Sequence, residues 1–212
     1  IHRHSLLKPA RPIWYRGPRA TDLHWPALVD YFTNAKKWDH DTVASVDETS
    51  TEIVSLLEDP TKDDFACRGL VVGYVQSGKT ANMTAVISKA VDAGYNLVVV
   101  LAGLTNKLRR QTQVRLETDI VDRHRHNWNL LTHRDDDGDF RMPANRSFQA
   151  PRQGYAEIAV LKKNTSPLGQ FFKTLKRTPN AVLKGIRVLL IDDECDQASV
   201  NGSRDDYKLT KI

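Results

Sequence analysis

The sequence predicts an α/β fold, a parallel sheet with helices on both faces, preceded by a small helical extension. Three observations carry that expectation. From Gly69 onward, short apolar runs alternate with helix-compatible segments, the pattern of right-handed βαβ units. One run, Leu97-Val-Val-Val-Leu-Ala102, is apolar without interruption, as a strand buried on both faces requires. Between an apolar lead-in and a helical lead-out stands Gly73-Tyr-Val-Gln-Ser-Gly-Lys-Thr80, which fits G-x-x-x-x-G-K-[ST].

Residues 1 to 20, with Pro9, Pro12, Gly17 and Pro18, read as an extended arm, because proline removes donors and blocks helix. Its pair Trp14-Tyr15 is expected to cover the core, with stacking on a base as the competing role. Thr21 or Asp22 caps a predicted helix running to about Trp38, and Ile53, Val54, Leu56 and Leu57 mark a second over Glu48 to Glu58, ending before Pro60. These form a cap over residues 1–66, and 67–212 form the main domain. There the expected order is strand Leu70 to Tyr74, helix Ala81 to Ala93, strand Leu97 to Ala102 and helix Thr105 to Glu117. A long charged surface excursion over 122–154 follows. Strand Ile158 to Leu161, helix Leu168 to Arg177 and strand Arg187 to Ile191 complete the reading.

The phosphate-loop spacing states its own chemistry. Gly73 and Gly78 let the backbone curl, so that successive amide groups from Gly73, Tyr74, Val75, Gln76, Ser77 and Gly78 face phosphate oxygens. The following helix adds the positive end of its dipole. Lys79 is expected on the β- and γ-phosphates of ATP, and the Thr80 hydroxyl on Mg²⁺. The last apolar strand supplies the complement, Val188-Leu-Leu-Ile-Asp192-Asp193-Glu194-Cys-Asp196. One carboxylate, Asp193, is expected to hold the metal; the next, Glu194, to orient or deprotonate the attacking water.

Composition narrows the classes. A net charge of +5 over 212 residues is compatible with a nucleic-acid partner and does not demand one. Cys67 and Cys195 lie too far apart for a zinc knuckle or a disulfide framework, which suits a reducing, cytoplasmic setting. No apolar run approaches the roughly 20 residues a bilayer span needs. The start at Ile1 and the end at Lys211-Ile212 suggest part of a longer protein.

The D-E-x-D form of Asp193 to Asp196 and the loop Gln76 to Thr80 are similar to those of superfamily 2 helicases and translocases. More specifically, the chain resembles the Z1-domain family, whose members are described as endonucleases of bacterial restriction or defence systems. The resemblance rests on Gly69 to Met83, Ala102 to Gln111, Lys162-Lys163-Asn164 and Ile191 to Ser199, and it spans roughly residues 11 to 212. It implies a RecA-like phosphate-loop lobe coupling ATP hydrolysis to movement on, or remodelling of, DNA. It also implies a second RecA-like lobe with an arginine finger, and a nuclease domain or subunit, outside this chain. Without that finger, worth about 10³–10⁵ in rate, the isolated lobe is expected to bind nucleotide weakly and hydrolyse it poorly. A nucleotide-dependent switch that recruits a nuclease without translocating is the alternative.

Basic residues beyond strand ends are the candidate DNA contacts: Lys107, Arg109, Arg110 and Arg115 on one helix, and Lys162 and Lys163 after the next strand. Each has a bland counterpart, a solvated face or a helix cap. Arg123-His-Arg-His126 and the run Asp135 to Asp139 read as solvated loops rather than metal sites. Nuclease motifs are not evident in the sequence.

Overall fold

Strand Leu97–Ala102 (β1) lies where the unbroken apolar run predicts, and it is flanked on both sides. The computed structural model describes residues 13–72, 78–135, 137–193 and 195. Within them, Trp128–Leu130 (β2), Ala156–Leu161 (β3) and Val188–Asp193 (β4) join β1 in a four-stranded sheet of order β2-β3-β1-β4. Every pairing is parallel, with Val99 opposite Ala159 on one side and Leu190 on the other. Parallel neighbours need crossover connections; helices supply two of them, while residues 131–155, with no helix among those described, join β2 to β3. Asn106–Asp119 (α4) and Thr165–Arg177 (α5) lie between successive strands, and Lys79–Ala93 (α3) runs into β1 through a turn at Gly94, φ +123°.

Side-chain alternation divides the sheet into two apolar faces. Val98, Val100, Ala102, Leu189 and Ile191 meet Ile87, Ala90 and Val91 of α3 and Leu116 of α4. Leu97, Val99, Ala159 and Leu161 meet Phe171, Leu168 and Leu175 of α5, together with Phe140 and Phe148. Each fully buried aliphatic side chain here contributes roughly 1.5–3 kcal/mol, which makes β1 the centre of the fold.

The N-terminal helices are His24–Asp30 (α1), extended by a π-helical turn over Tyr31–Ala35, and His40–Leu56 (α2). Trp25, Leu28, Phe32 and Val43 pack on Ala81 and Ala85 of α3. The fully buried Lys89 fastens α3 to α2: its ammonium donates to the Asp47 carbonyl and carboxylate at 2.6 Å and to the Thr51 hydroxyl at 2.7 Å. It also lies 4.2 Å from the centre of the Trp25 ring. Burial pulls the Lys89 pKa down, and Asp47 opposes that shift.

Several sequence expectations change. Leu70, Val71 and Val72 form no strand; they are exposed by 69, 62 and 69%. Both edges of β1 are occupied, so this run can pair only at an outer edge of the sheet, and within the described residues it pairs with neither. The stretch 122–154 is not wholly excursion. Trp128–Leu130 forms the edge strand β2, and Phe140 and Phe148 enter the core. Helix α2 begins at His40, well before Glu48, because the Asp39 carboxylate accepts the Thr42 amide at 2.8 Å. A short helix, Asn180–Leu183 (α6), precedes β4. Trp14 and Tyr15 do cover a core: Tyr15 is buried with Val54 and Val86, and the Trp14 indole donates to the Leu57 carbonyl at 2.7 Å.

Candidate functional site

Helix α3 starts abruptly. Gly78 has φ +75°, in the left-handed region that favours glycine, and it sits at the N-cap with no side-chain cap on the helix. A Cβ at Gly78 would meet nothing within 4 Å, so conformation rather than space calls for glycine here. Among the described residues no side chain caps the first-turn amides, the groups that water or an anion satisfies at such a helix start. Lys79 is exposed and Thr80 half-buried in that turn. Gly73, Tyr74, Val75, Gln76 and Ser77 lie outside the described residues, as does Glu194.

The carboxylates at the end of β4 are sorted by the sheet. Asp193 has the same parity as Leu189 and Ile191, which pack on the α3 face, while Asp192 falls on the opposite face with Val188 and Leu190. There Lys163, buried to 1% exposure, places its ammonium 2.5 Å from the Asp192 carboxylate. Asp193 lies opposite Ala102 at the C-terminal end of β1, the edge where open α/β sheets bind ligands. Connectivity brings the start of α3 towards the same edge. The helix ends in the turn that feeds the N-terminal end of β1, and its stripe Met83-Ile87-Ala90-Val91 lies on the sheet. At about 1.5 Å per helical residue and 3.3 Å per strand residue, α3 and β1 have similar lengths.

The basic residues separate into different environments. Arg115 is exposed, and its Nη1 donates to the Thr80 Oγ1 at 2.8 Å, so it belongs to the start of α3 rather than to an outer basic face. Arg109 leaves the surface altogether. It is fully buried and its guanidinium donates to the carbonyls of His133 and Asp135 at 2.8 and 2.6 Å, clasping the loop after β2. Lys163 is likewise enclosed, against Asp192. Lys162 is partly buried, 3.8 Å from Asp139. Lys107 and Arg110 remain on the exposed side of α4, whose start is capped by Thr105 accepting the Leu108 amide at 3.2 Å. The spacing predicts one group on α4 and a second after β3, each a candidate DNA contact with a solvated face or a helix cap as its alternative. The pairings that separate them join residues 23 to 35 positions apart (from Lys162 with Asp139 to Arg115 with Thr80), a range over which no local pattern operates.

Among the described residues no three His, Cys, Asp or Glu side chains gather as a metal cluster. Of the expected cation ligands, the described residues include the Thr80 hydroxyl, which accepts from Arg115, and the Asp193 carboxylate. An all-oxygen set of one hydroxyl and one carboxylate fits Mg²⁺, which keeps several of its waters and takes few protein ligands. Of the run Arg123 to His126, Arg123 lies over the Tyr31 ring at 4.4 Å, His124 meets the His24 ring edge-on at 6.0 Å between centroids, Arg125 pairs with Asp122 at 3.1 Å and His126 is exposed. No helix among the described residues is long and apolar enough to cross a membrane. No protein-family model matches the chain, and neither the curated proteins nor the solved structures contain a match to it.

Proposed function

We propose that this chain is the ATP-binding and hydrolysing lobe of a helicase-like, RecA-like enzyme of the Z1 type. In this proposal it acts on DNA and is coupled to an endonuclease in restriction or phage defence. The observation that carries the proposal is the parity of β4. Of two adjacent carboxylates, Asp193 faces the side on which the phosphate-loop helix packs, while Asp192 is held by Lys163 on the other. Phosphate-loop hydrolases need one carboxylate on that side of the sheet.

Each residue then has a task. The Gly78 conformation aims the first amides of α3 at phosphate oxygens, and Lys79, exposed beside them, neutralises charge on the terminal phosphates. Thr80 and Asp193 would hold Mg²⁺, which when bound supplies electrostatic stabilisation of the leaving phosphates. Glu194, next along the chain, orients the attacking water and accepts its proton. Lys107 and Arg110, exposed on α4 beyond the end of β1, would meet a DNA backbone.

The test is ATP hydrolysis by the full-length protein with and without single- and double-stranded DNA, beside the Glu194→Gln variant. Strong stimulation by DNA that disappears in the variant supports a nucleic-acid motor. Slow turnover that neither DNA nor the substitution alters would refute it.

A further inference from the structure

Thr80 has two claims on its hydroxyl. The phosphate-loop spacing assigns it to a divalent cation, yet in the structure the guanidinium of Arg115 donates to it at 2.8 Å. Arg115 reaches it from α4, 35 positions along the chain, and carries a fixed positive charge on an exposed side chain. A guanidinium at that distance places one unit of charge beside the oxygen a metal would take. Thr80 stands in the first turn of α3, so a guanidinium bound to it brings a cation with further N–H donors to the end of the helix where phosphate oxygens are expected.

We infer that Arg115 is a metal surrogate at the nucleotide site. It holds Thr80 and neutralises phosphate charge when Mg²⁺ is absent, and it yields Thr80 when Mg²⁺ arrives with the nucleotide. This rests on the proposed nucleotide site and goes beyond it by assigning Arg115 a positioning role that neither motif contains. Two cations cannot share one hydroxyl at close range without repulsion, so arginine and metal compete. The consequence is a chain whose affinity for nucleotide depends less on Mg²⁺ than a phosphate loop without this arginine. Lysine cannot fully substitute, since it offers a compact ammonium in place of a planar fork.

The experiment is equilibrium binding of a fluorescent ATP analogue to the full chain, in excess Mg²⁺ and in chelator, for wild type, Arg115→Ala and Arg115→Lys. Removing a charge-assisted hydrogen bond and its phosphate partner should weaken metal-free binding about tenfold in Arg115→Ala. Binding in Mg²⁺ should be unchanged or tighter, so the ratio of the two dissociation constants grows by at least that factor. Arg115→Lys should fall between. An equal change in both conditions, or none in either, overturns the surrogate role while leaving the nucleotide site intact. Absence of binding by the wild-type chain in both conditions overturns the site itself, and the role of Arg115 with it.

Discussion

The Lys163 ammonium stands 2.5 Å from the Asp192 carboxylate and joins the segment just after β3 to β4, although β1 lies between those two strands. The pair is lopsided. The Lys163 side chain is 1% exposed and that of Asp192 30%. Removing the more exposed partner leaves a buried charge without this carboxylate, whereas removing the buried one leaves a carboxylate that water can still reach. Asp192→Ala should therefore cost about 2–3 kcal/mol, more than Lys163→Met, which puts an apolar chain of similar length into the same space. Urea denaturation of both variants measures the difference. A larger loss in Lys163→Met would reverse the assignment of which charge the fold depends on.

Asp92 caps a helix to which it does not belong. Near the end of α3, its carboxylate accepts the amides of Leu23 at 3.0 Å, His24 at 2.9 Å and Trp25 at 2.8 Å, the opening of α1. Helix α1 has no cap from its own neighbouring side chains, so these bonds set where it begins. Asp92→Ala should destabilise the protein by about 1–2 kcal/mol, the usual worth of an N-cap. Amide exchange should accelerate first at His24 and Trp25. Uniform acceleration across the chain, with no local effect at α1, would count against local capping.

The sequence made the centre of the fold legible and left its edges obscure, for a physical reason in each case. Leu97 to Ala102 is apolar at every position because both faces are covered, and its bounds match the observed strand. β2 escaped notice because a three-residue strand offers too short a run for periodicity to register, and it sits in a charged stretch. Leu70 to Val72 look like a strand because β-propensity describes a residue's preference and not the presence of a partner edge. At the site, Gly78, Lys79 and Thr80 were legible as a spacing. The face occupied by Asp193, the enclosure of Arg109 and the bond from Arg115 to Thr80 are tertiary facts.

Gly78 gives a test that separates conformation from crowding. A Cβ there has open space, yet φ +75° disfavours any residue with a side chain, by roughly 1 kcal/mol. Gly78→Ala should lower the melting temperature by only about 2–4 °C, the worth of that strain, because no crowding adds to it. It should also weaken binding of the fluorescent nucleotide as the loop relaxes away from the left-handed turn. By contrast, Gly103→Ala meets Leu108 Cδ1 at 2.7 Å as well as an unfavourable φ of +51°, and should lower the melting temperature. If Gly78→Ala binds nucleotide as wild type does, the turn is not part of the site.

His24 sets a pH dependence whose sign can be worked out. The ring is buried between His124, at 6.0 Å between centroids, and Trp128, at 5.1 Å, and burial lowers its pKa below the ordinary 6.5. His124 pushes in the same direction; Asp92 and the Gly154 carbonyl oppose it without prevailing. In the unfolded chain His24 takes up a proton as pH falls through 6.5, while the folded chain still resists, so the unfolded state binds more protons and stability drops on acidification. The loss is at most about 1.4 kcal/mol per pH unit for one such group, and it ends below the folded pKa. Glu157 works the other way: burial raises its pKa, so its contribution diminishes as pH rises through the carboxylate range. Denaturation midpoints of wild type and His24→Phe, compared from pH 7.5 to 5.5, isolate the histidine. The wild type should lose stability across that range and the variant should lose less. Parallel slopes would mean that His24 takes up its proton without unfolding the site around it.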